Sequence, residues 1–180
     1  MTRYTYYTAS SIDGFIATED DSLDWLLKQP QGTTGPGGNF DYEKFIQGIG
    51  ALVMGATTYE WVLKHGLEAT GETWPYPQPT FVFTHRELPL AADNVQLVAG
   101  TASDHRAALE AAAGDKDVWI VGGGDLAEQF AAAGMLQEMV VTYAPVTLGS
   151  GRPLFTGRRD LELVDQAVDG VFLSTRFAVT

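Results

Sequence analysis

Cysteine is absent from the 180 residues, which removes disulfide bridges, thiolate zinc sites and a cysteine nucleophile together. Histidine is scarce. His65, His85 and His105 are the whole set, none of them at metal-ligand spacing, so no metal centre is expected. Positive charge is short as well: 11 Lys and Arg stand against 23 Asp and Glu, a formal net charge of -12. That balance argues against nucleic acid and against anionic membrane surfaces as partners, since both demand a basic face. A small anion stays compatible, because salt limits the reach of surface charge to about 8 Å, within which a helix start or one arginine acts locally. Long apolar runs are missing too: no stretch of about eighteen apolar residues occurs and the first eight residues hold no apolar signal region, so a cytoplasmic protein is expected.

What is present suits one domain over residues 1–180, long enough to bury roughly 70% of the surface of its unfolded chain. Strand-forming runs at Tyr4 to Ser10, Ala51 to Met54, Thr80 to Thr84, Val95 to Val98 and Val118 to Val121 alternate with helical runs at Phe40 to Ile49, Thr57 to His65, Ser103 to Ala113 and Leu126 to Ala133. That alternation predicts an α/β layer structure. After residue 135, Glu138 to Val146, Leu161 to Val168 and Val171 to Val179 read as strands without helices between them. Asp169-Gly170 between the last two is a strong hairpin signal, so the sheet should be mixed, with an antiparallel C-terminal hairpin. Gln29 to Asn39 and Gly66 to Gln78 carry too much Gly and Pro for regular structure and are expected to be loops.

The most informative segment is Val121-Gly122-Gly123-Gly124-Asp125-Leu126, where an apolar strand breaks into three glycines and restarts as a helix. Residues without a Cβ let a ligand approach the backbone, and the free N–H groups of a helix start favour an anion. The alternative is a plain tight strand-to-helix turn. No Gly-Lys-Ser/Thr follows the triplet and its spacing is not that of GxGxxG, so neither nucleotide fingerprint applies.

Several motifs occur in one order: Ala9-Ser-Ser-Ile-Asp13-Gly14-Phe-Ile16-Ala, Leu23-Asp24-Trp25-Leu, Tyr42-Glu-Lys-Phe45, Val53-Met54-Gly55, Thr57-Thr58-Tyr59-Glu60, Thr84-His85-Arg86, the glycine triplet, and Ala144-Pro145 through Gly149-Ser-Gly-Arg152-Pro-Leu-Phe155. Together, from about Tyr4 to Phe177, they resemble the dihydrofolate reductase-like family that includes the reductase domain of bacterial riboflavin biosynthesis. The resemblance implies a three-layer fold with helices on both faces of a mostly parallel sheet. It further implies an NADPH-dependent reductase that passes a hydride to a small heterocycle, pterin-like or aminopyrimidine-like, with a homodimer as its assembly. The zinc deaminase module that often accompanies that reductase has no Cys ligands in this chain. A nucleotide- or pterin-binding module that kept the fold without turnover is the second reading, and an interaction protein the third.

The same resemblance assigns residues. Gly122, Gly123 and Gly124 would meet the pyrophosphate with Val121, Asp125 and Leu126 around them, and Gly55 and Thr57 would form a second anion-binding junction. Thr84, His85 and Arg86 would read the adenosine end, where an arginine fork suits a 2′-phosphate. The backbone of Ala9 and Ile16 would line the nicotinamide. Asp41 and Phe45, four apart on one helix face, would supply a carboxylate for substrate hydrogen bonding or proton supply beside an aromatic platform. Asp13, Trp25 and Arg152 would border the substrate, although Asp13-Gly14 alone reads as a turn, Trp25 with Leu23 and Leu26 as core, and Arg152 as solvated. Two departures stand out: Ala56-Thr57 follows Met54-Gly55, and Asp125 follows the glycines, where relatives are more basic. Each charge-assisted hydrogen bond lost there weakens a phosphate contact by roughly 1.5 to 3 kcal/mol, so weaker binding, NADH in place of NADPH, or another cofactor are all compatible.

Overall fold

The computed structural model describes residues 1–30, 42–68, 71 and 73–180. Among them, eight strands form one sheet: β1 (Tyr4–Ser10), β3 (Ile49–Gly55), β4 (Thr80–Phe83), β5 (Val95–Val98), β6 (Asp117–Gly122), β7 (Glu138–Tyr143), β9 (Leu161–Asp169) and β10 (Phe172–Val179). Their spatial order is β5-β4-β3-β6-β1-β7-β10-β9. The first six pair in parallel, and β10 pairs antiparallel with both β7 and β9, as the loss of helical pattern after residue 135 and the Asp169-Gly170 hairpin signal predict. Phe172 pairs with Asp169, so the hairpin turn is Gly170-Val171, with Gly170 at φ 60°.

Two faces of apolar residues explain the layers. Tyr4, Tyr6, Val53, Val118 and Ile120 project to one side and pack against Leu109 and Ala113 of α4 (Arg106–Ala113) and Leu126, Ala127 and Phe130 of α5 (Gly124–Ala132). Tyr7, Leu52, Met54 and Trp119 project to the other and meet Phe45 and Ile46 of α2 (Tyr42–Gln47) and Tyr59 and Val62 of α3 (Ala56–Val62). Alternation along each strand sends successive side chains to opposite faces, and both faces are covered because the strands are apolar on both.

Four details depart from the sequence pattern. β2 (Phe15–Ala17) and β8 (Arg152–Pro153) form a second, two-stranded antiparallel sheet. A short helix α1 (Asp24–Leu27) stands where only Trp25 and its neighbours had suggested helical spacing. α3 ends at Val62 and widens into a π-helical stretch over Leu63–Glu68, whose last three residues lie in the segment expected to be loop. β7 stops at Tyr143, short of Val146. The Gln29 to Asn39 loop lies almost wholly outside the described residues.

Candidate functional site

The site is built at the sheet's C-terminal edge, where neighbouring strands β3 and β6 send their helices to opposite faces. Such a divergence opens a crevice outside the strand ends. α3 starts directly after β3 with Gly55 as N-cap, and α5 directly after β6 with Gly123 as N-cap, and neither start receives a side-chain cap. The first-turn N–H groups of α5 therefore keep their donor capacity for something in the crevice.

The three glycines are present for different reasons. A Cβ on Gly124 would run into the backbone oxygens of Pro153 and Leu154, so the β8 strand lies against the helix start. A Cβ on Gly122 would stand 2.9 Å from the Thr58 hydroxyl oxygen. Gly123 sits at φ 96°, a conformation that favours glycine, and its nearest atom to a Cβ is 3.6 Å away. Close protein packing accounts for Gly122 and Gly124, and Gly123 alone leaves space over the backbone.

Two cavities of about 510 and 320 Å³ adjoin here, with Thr57, Thr58, Gly123 and Asp125 in the lining of both, and together they form the cleft. The larger is walled by Thr8, Ile16, Ala17, Leu23, Trp61 and Val121, with Asp21, Arg152, Pro153 and Thr156 at its rim. The smaller runs past Gly55, Phe83, Thr84, His85, Val98, Gly100 and Leu126. An apolar chamber joined to a backbone-rich channel suits a flat ring at one end and phosphates along the other. The uncapped α5 start and the open backbone at Gly123 fit a dinucleotide pyrophosphate. Ile16 and Val121 flank the chamber in which a nicotinamide would lie.

The structure thus brings Ile16, Gly55, Thr57, Thr84, His85, Val121, the glycine triplet, Asp125, Leu126 and Arg152 to one cleft. Five assignments fall elsewhere. Ala9 does not line it; Thr8 does, because adjacent strand residues face opposite sides. Arg86 is turned onto α3, where its guanidinium donates to Glu60 at 3.2 and 2.7 Å, and this partner raises its pKa. Trp25 is buried with Ala144 and Phe172 in a small core of its own. Asp13 accepts from the Ser11 hydroxyl at 2.6 Å and from the N–H groups of Leu148 and Gly149 at 3.0 and 2.7 Å. The Ser11 bond foremost, then the two backbone donors, hold its carboxyl down at about 2, so it works as a clamp between two loops. Phe45 stands edge-on to Tyr7 and Trp119, with ring centroids 4.8 and 5.5 Å away. Asp41 lies outside the described residues.

Phe45 also lines a separate cavity of about 410 Å³ with Arg3, Lys44, Asp117, Glu138 and Arg176, at the opposite, N-terminal edge of the parallel strands. Arg3 is forked there onto Asp117 at 3.2 and 3.0 Å.

Trp61, like Thr8 and Thr156, is a cleft residue that sequence reasoning missed. Its signal was present: it follows Thr57 by four residues in one helix, which puts both on one face. Its ring is backed by His65, stacked at 4.4 Å and 16°. Asp21 was missed as well, and it holds Arg152 through a fork at 2.6 and 3.2 Å.

A mixed, mostly parallel sheet covered on both faces, with a cleft at divergent glycine-marked helix starts, defines an α/β protein of the dihydrofolate reductase type. Comparison with known proteins narrows this: the chain belongs to the family described as the RibD C-terminal domain, whose profile matches residues 4–171. It is 35% identical over 151 residues to the uncharacterized protein YwjB of Bacillus subtilis (strain 168), covering 83% of this chain and 80% of that one. Among solved structures it is similar to a putative riboflavin biosynthesis protein from Shewanella sp. PV-4, with a TM-score of 0.83, 28% identity and 99% of both chains covered. It also superposes on RibD of Acinetobacter baumannii with a TM-score of 0.71 and 19% identity, over all of this chain but 58% of that one, a likeness of fold. No helix among the described residues is long and apolar enough to cross a membrane.

Proposed function

We propose that the chain is a reductase of one domain over residues 1–180, which binds a reduced nicotinamide dinucleotide and delivers its hydride to a small flat heterocycle of pterin or aminopyrimidine type. The observation that carries this reading is the cleft of two adjoining cavities, with the uncapped start of α5 and the open backbone of Gly123 beside an apolar chamber. Reduction of 5-amino-6-(5-phosphoribosylamino)uracil is the specific version that family membership suggests. The dinucleotide supplies the hydride when bound.

The chain's own residues position and exclude. The N–H groups of Gly124, Asp125 and Leu126 bind phosphate oxygens, Thr57 and Thr58 border the same path, and Ile16, Val121 and Trp61 wall the rings off from water. Exclusion of water and alignment of two rings account for most of what such a protein must contribute. Thr8 and Thr156 offer hydroxyls to ring substituents, and Asp41 is the proposed proton supply. A cytoplasmic location, with neither nucleic acid nor membrane as partner, is part of the same proposal.

A homodimer is part of the proposal. β9 forms the sheet edge, and Leu161, Leu163, Val164 and, on β10, Leu173 are between 39% and 58% exposed, an apolar patch that a second copy would cover. Light scattering should give about twice 19.4 kDa, and a mass of 19.4 kDa rejects the dimer.

The test is oxidation of the reduced dinucleotide in the presence of a panel of pterins and aminopyrimidines, with and without ribose phosphate. Substrate-dependent oxidation that falls at least tenfold in Trp61→Ala supports the reading. Tight dinucleotide binding without turnover of any panel member moves the protein to the second reading, a nucleotide- or pterin-binding module.

A further inference from the structure

We infer that the Glu60–Arg86 pair sets the choice of dinucleotide: the cleft takes the form with a free 2′-hydroxyl on its adenosine ribose and disfavours the form with a 2′-phosphate. This rests on the proposed function and names the ligand of that site more closely. Recognition of a 2′-phosphate calls for an arginine fork, because a phosphate monoester carries close to two negative charges at neutral pH and is best bound bidentately. Arg86 has the right place in sequence, directly after Thr84 and His85, which line the smaller cavity, the end of the cleft where the proposed function puts the adenosine. Its fork is already used. Both terminal nitrogens donate to the two oxygens of Glu60, at 3.2 and 2.7 Å, while its backbone N–H is tied to the Thr84 hydroxyl at 3.0 Å.

An exposed pair of this kind is weak by itself, and a phosphate could draw the guanidinium away from it. The exchange would leave the Glu60 carboxylate beside the incoming phosphate, so attraction by Arg86 is opposed by repulsion from its former partner. The Glu60–Arg86 pair stands just outside the smaller cavity, next in sequence to its wall at Thr84 and His85, and the titratable side chains that line it are His85 and Asp125, one of them acidic. At the other end of the cleft the same arrangement recurs, with Arg152 forked onto Asp21. Among the described lining residues, the one arginine is held by an acid. A dinucleotide without the 2′-phosphate needs neither arginine. Its pyrophosphate is met by backbone N–H groups.

Calorimetric titration of the full chain with NADH and NADPH tests this, beside Glu60→Gln and the double variant Glu60→Gln, Arg86→Ala. Wild type should bind NADH about tenfold more tightly than NADPH, the lower end of what one charge-assisted fork is worth. Glu60→Gln, which frees the fork without removing its hydrogen-bonding length, should raise NADPH affinity by about tenfold and move NADH by less than about twofold. The double variant should lose that gain. Wild type binding NADPH as tightly as NADH overturns the inference, and so does a Glu60→Gln variant with an unchanged ratio. Binding of neither dinucleotide overturns the proposed function, and this inference with it. Circular dichroism of each variant separates a lost fold from a lost preference.

Discussion

Replacing Gly124 with alanine lowers the melting temperature by roughly 2 to 12 °C, because an added methyl in a packed site costs about 1 to 3 kcal/mol and each kcal/mol is worth about 2 to 4 °C at this chain length. The opposing effect is real, since alanine stabilises a helix relative to glycine by up to about 1 kcal/mol. The clash wins here because the atoms in the way are the backbone oxygens of Pro153 and Leu154, which cannot swing aside as a side-chain tip would. Leu154 is fixed from beneath as well: its carbonyl accepts the buried Tyr6 hydroxyl at 3.1 Å and its N–H donates to the Gly14 carbonyl at 2.8 Å. Relief of the clash therefore pushes the 152–155 strap away from α5, and with it the Arg152 and Pro153 rim of the cleft. Dinucleotide binding should weaken along with stability. A melting temperature within 1 °C of wild type, with binding intact, would show that the strap does not hold the site.

Trp119→Ala is expected to be the most destabilising single change near the sheet centre. Trp119 is 7% exposed and touches four rings, Tyr7, Tyr42, Phe45 and Tyr76, with centroids 5.5 to 6.5 Å away. Truncating a buried tryptophan costs about 3 to 5 kcal/mol, which corresponds to a fall of roughly 6 to 20 °C in a chain of this size. Phenylalanine at the same place keeps most of the packing but removes the indole N–H that donates to the Tyr7 carbonyl at 3.1 Å. The carbonyl is then left without that donor, at about 1 to 3 kcal/mol. Thermal unfolding of the two variants should rank alanine well below phenylalanine. Equal losses would mean that the hydrogen bond, not the aromatic packing that seats α2, carries the effect.

How much of this was legible in the sequence depends on how local the cause was. β6, the glycine triplet and α5 were legible because a buried apolar strand, residues without Cβ and an amphipathic helix follow one another without a gap. Asp169-Gly170 marked the hairpin for the same reason, with the turn displaced by one residue. β2 and β8 were not legible: three and two residues carry no period, and each is a strand only because the other lies beside it more than 130 positions away. The π-helical stretch at Leu63–Glu68 hides behind a glycine that reads as a breaker.

In the site, position in a motif found the cleft walls but not the partners of the charged side chains. Arg86 follows Thr84-His85 as the pattern requires, yet Glu60 on α3, 26 residues earlier, takes its fork. Arg152 is held by Asp21, 131 residues earlier. Such pairings depend on how helix and loop ends meet, and no spacing rule contains them. Trp25 was assigned to the substrate, with core as the alternative that its helical spacing with Leu23 and Leu26 offered, and the structure buries it in that core.

The central claim is that the glycine-marked cleft at the C-terminal edge of the sheet is the dinucleotide site. Titration of nitrogen-15-labelled protein with NADH, followed amide by amide, tests it most directly. The account predicts that the amides of Gly123, Gly124, Asp125 and Leu126 shift first and furthest, with Thr57, Thr58 and Trp61 following, while Arg3, Lys44 and Glu138 stay in place. No shift at the glycines, or the largest shifts at the cavity of Arg3 and Arg176, would contradict it.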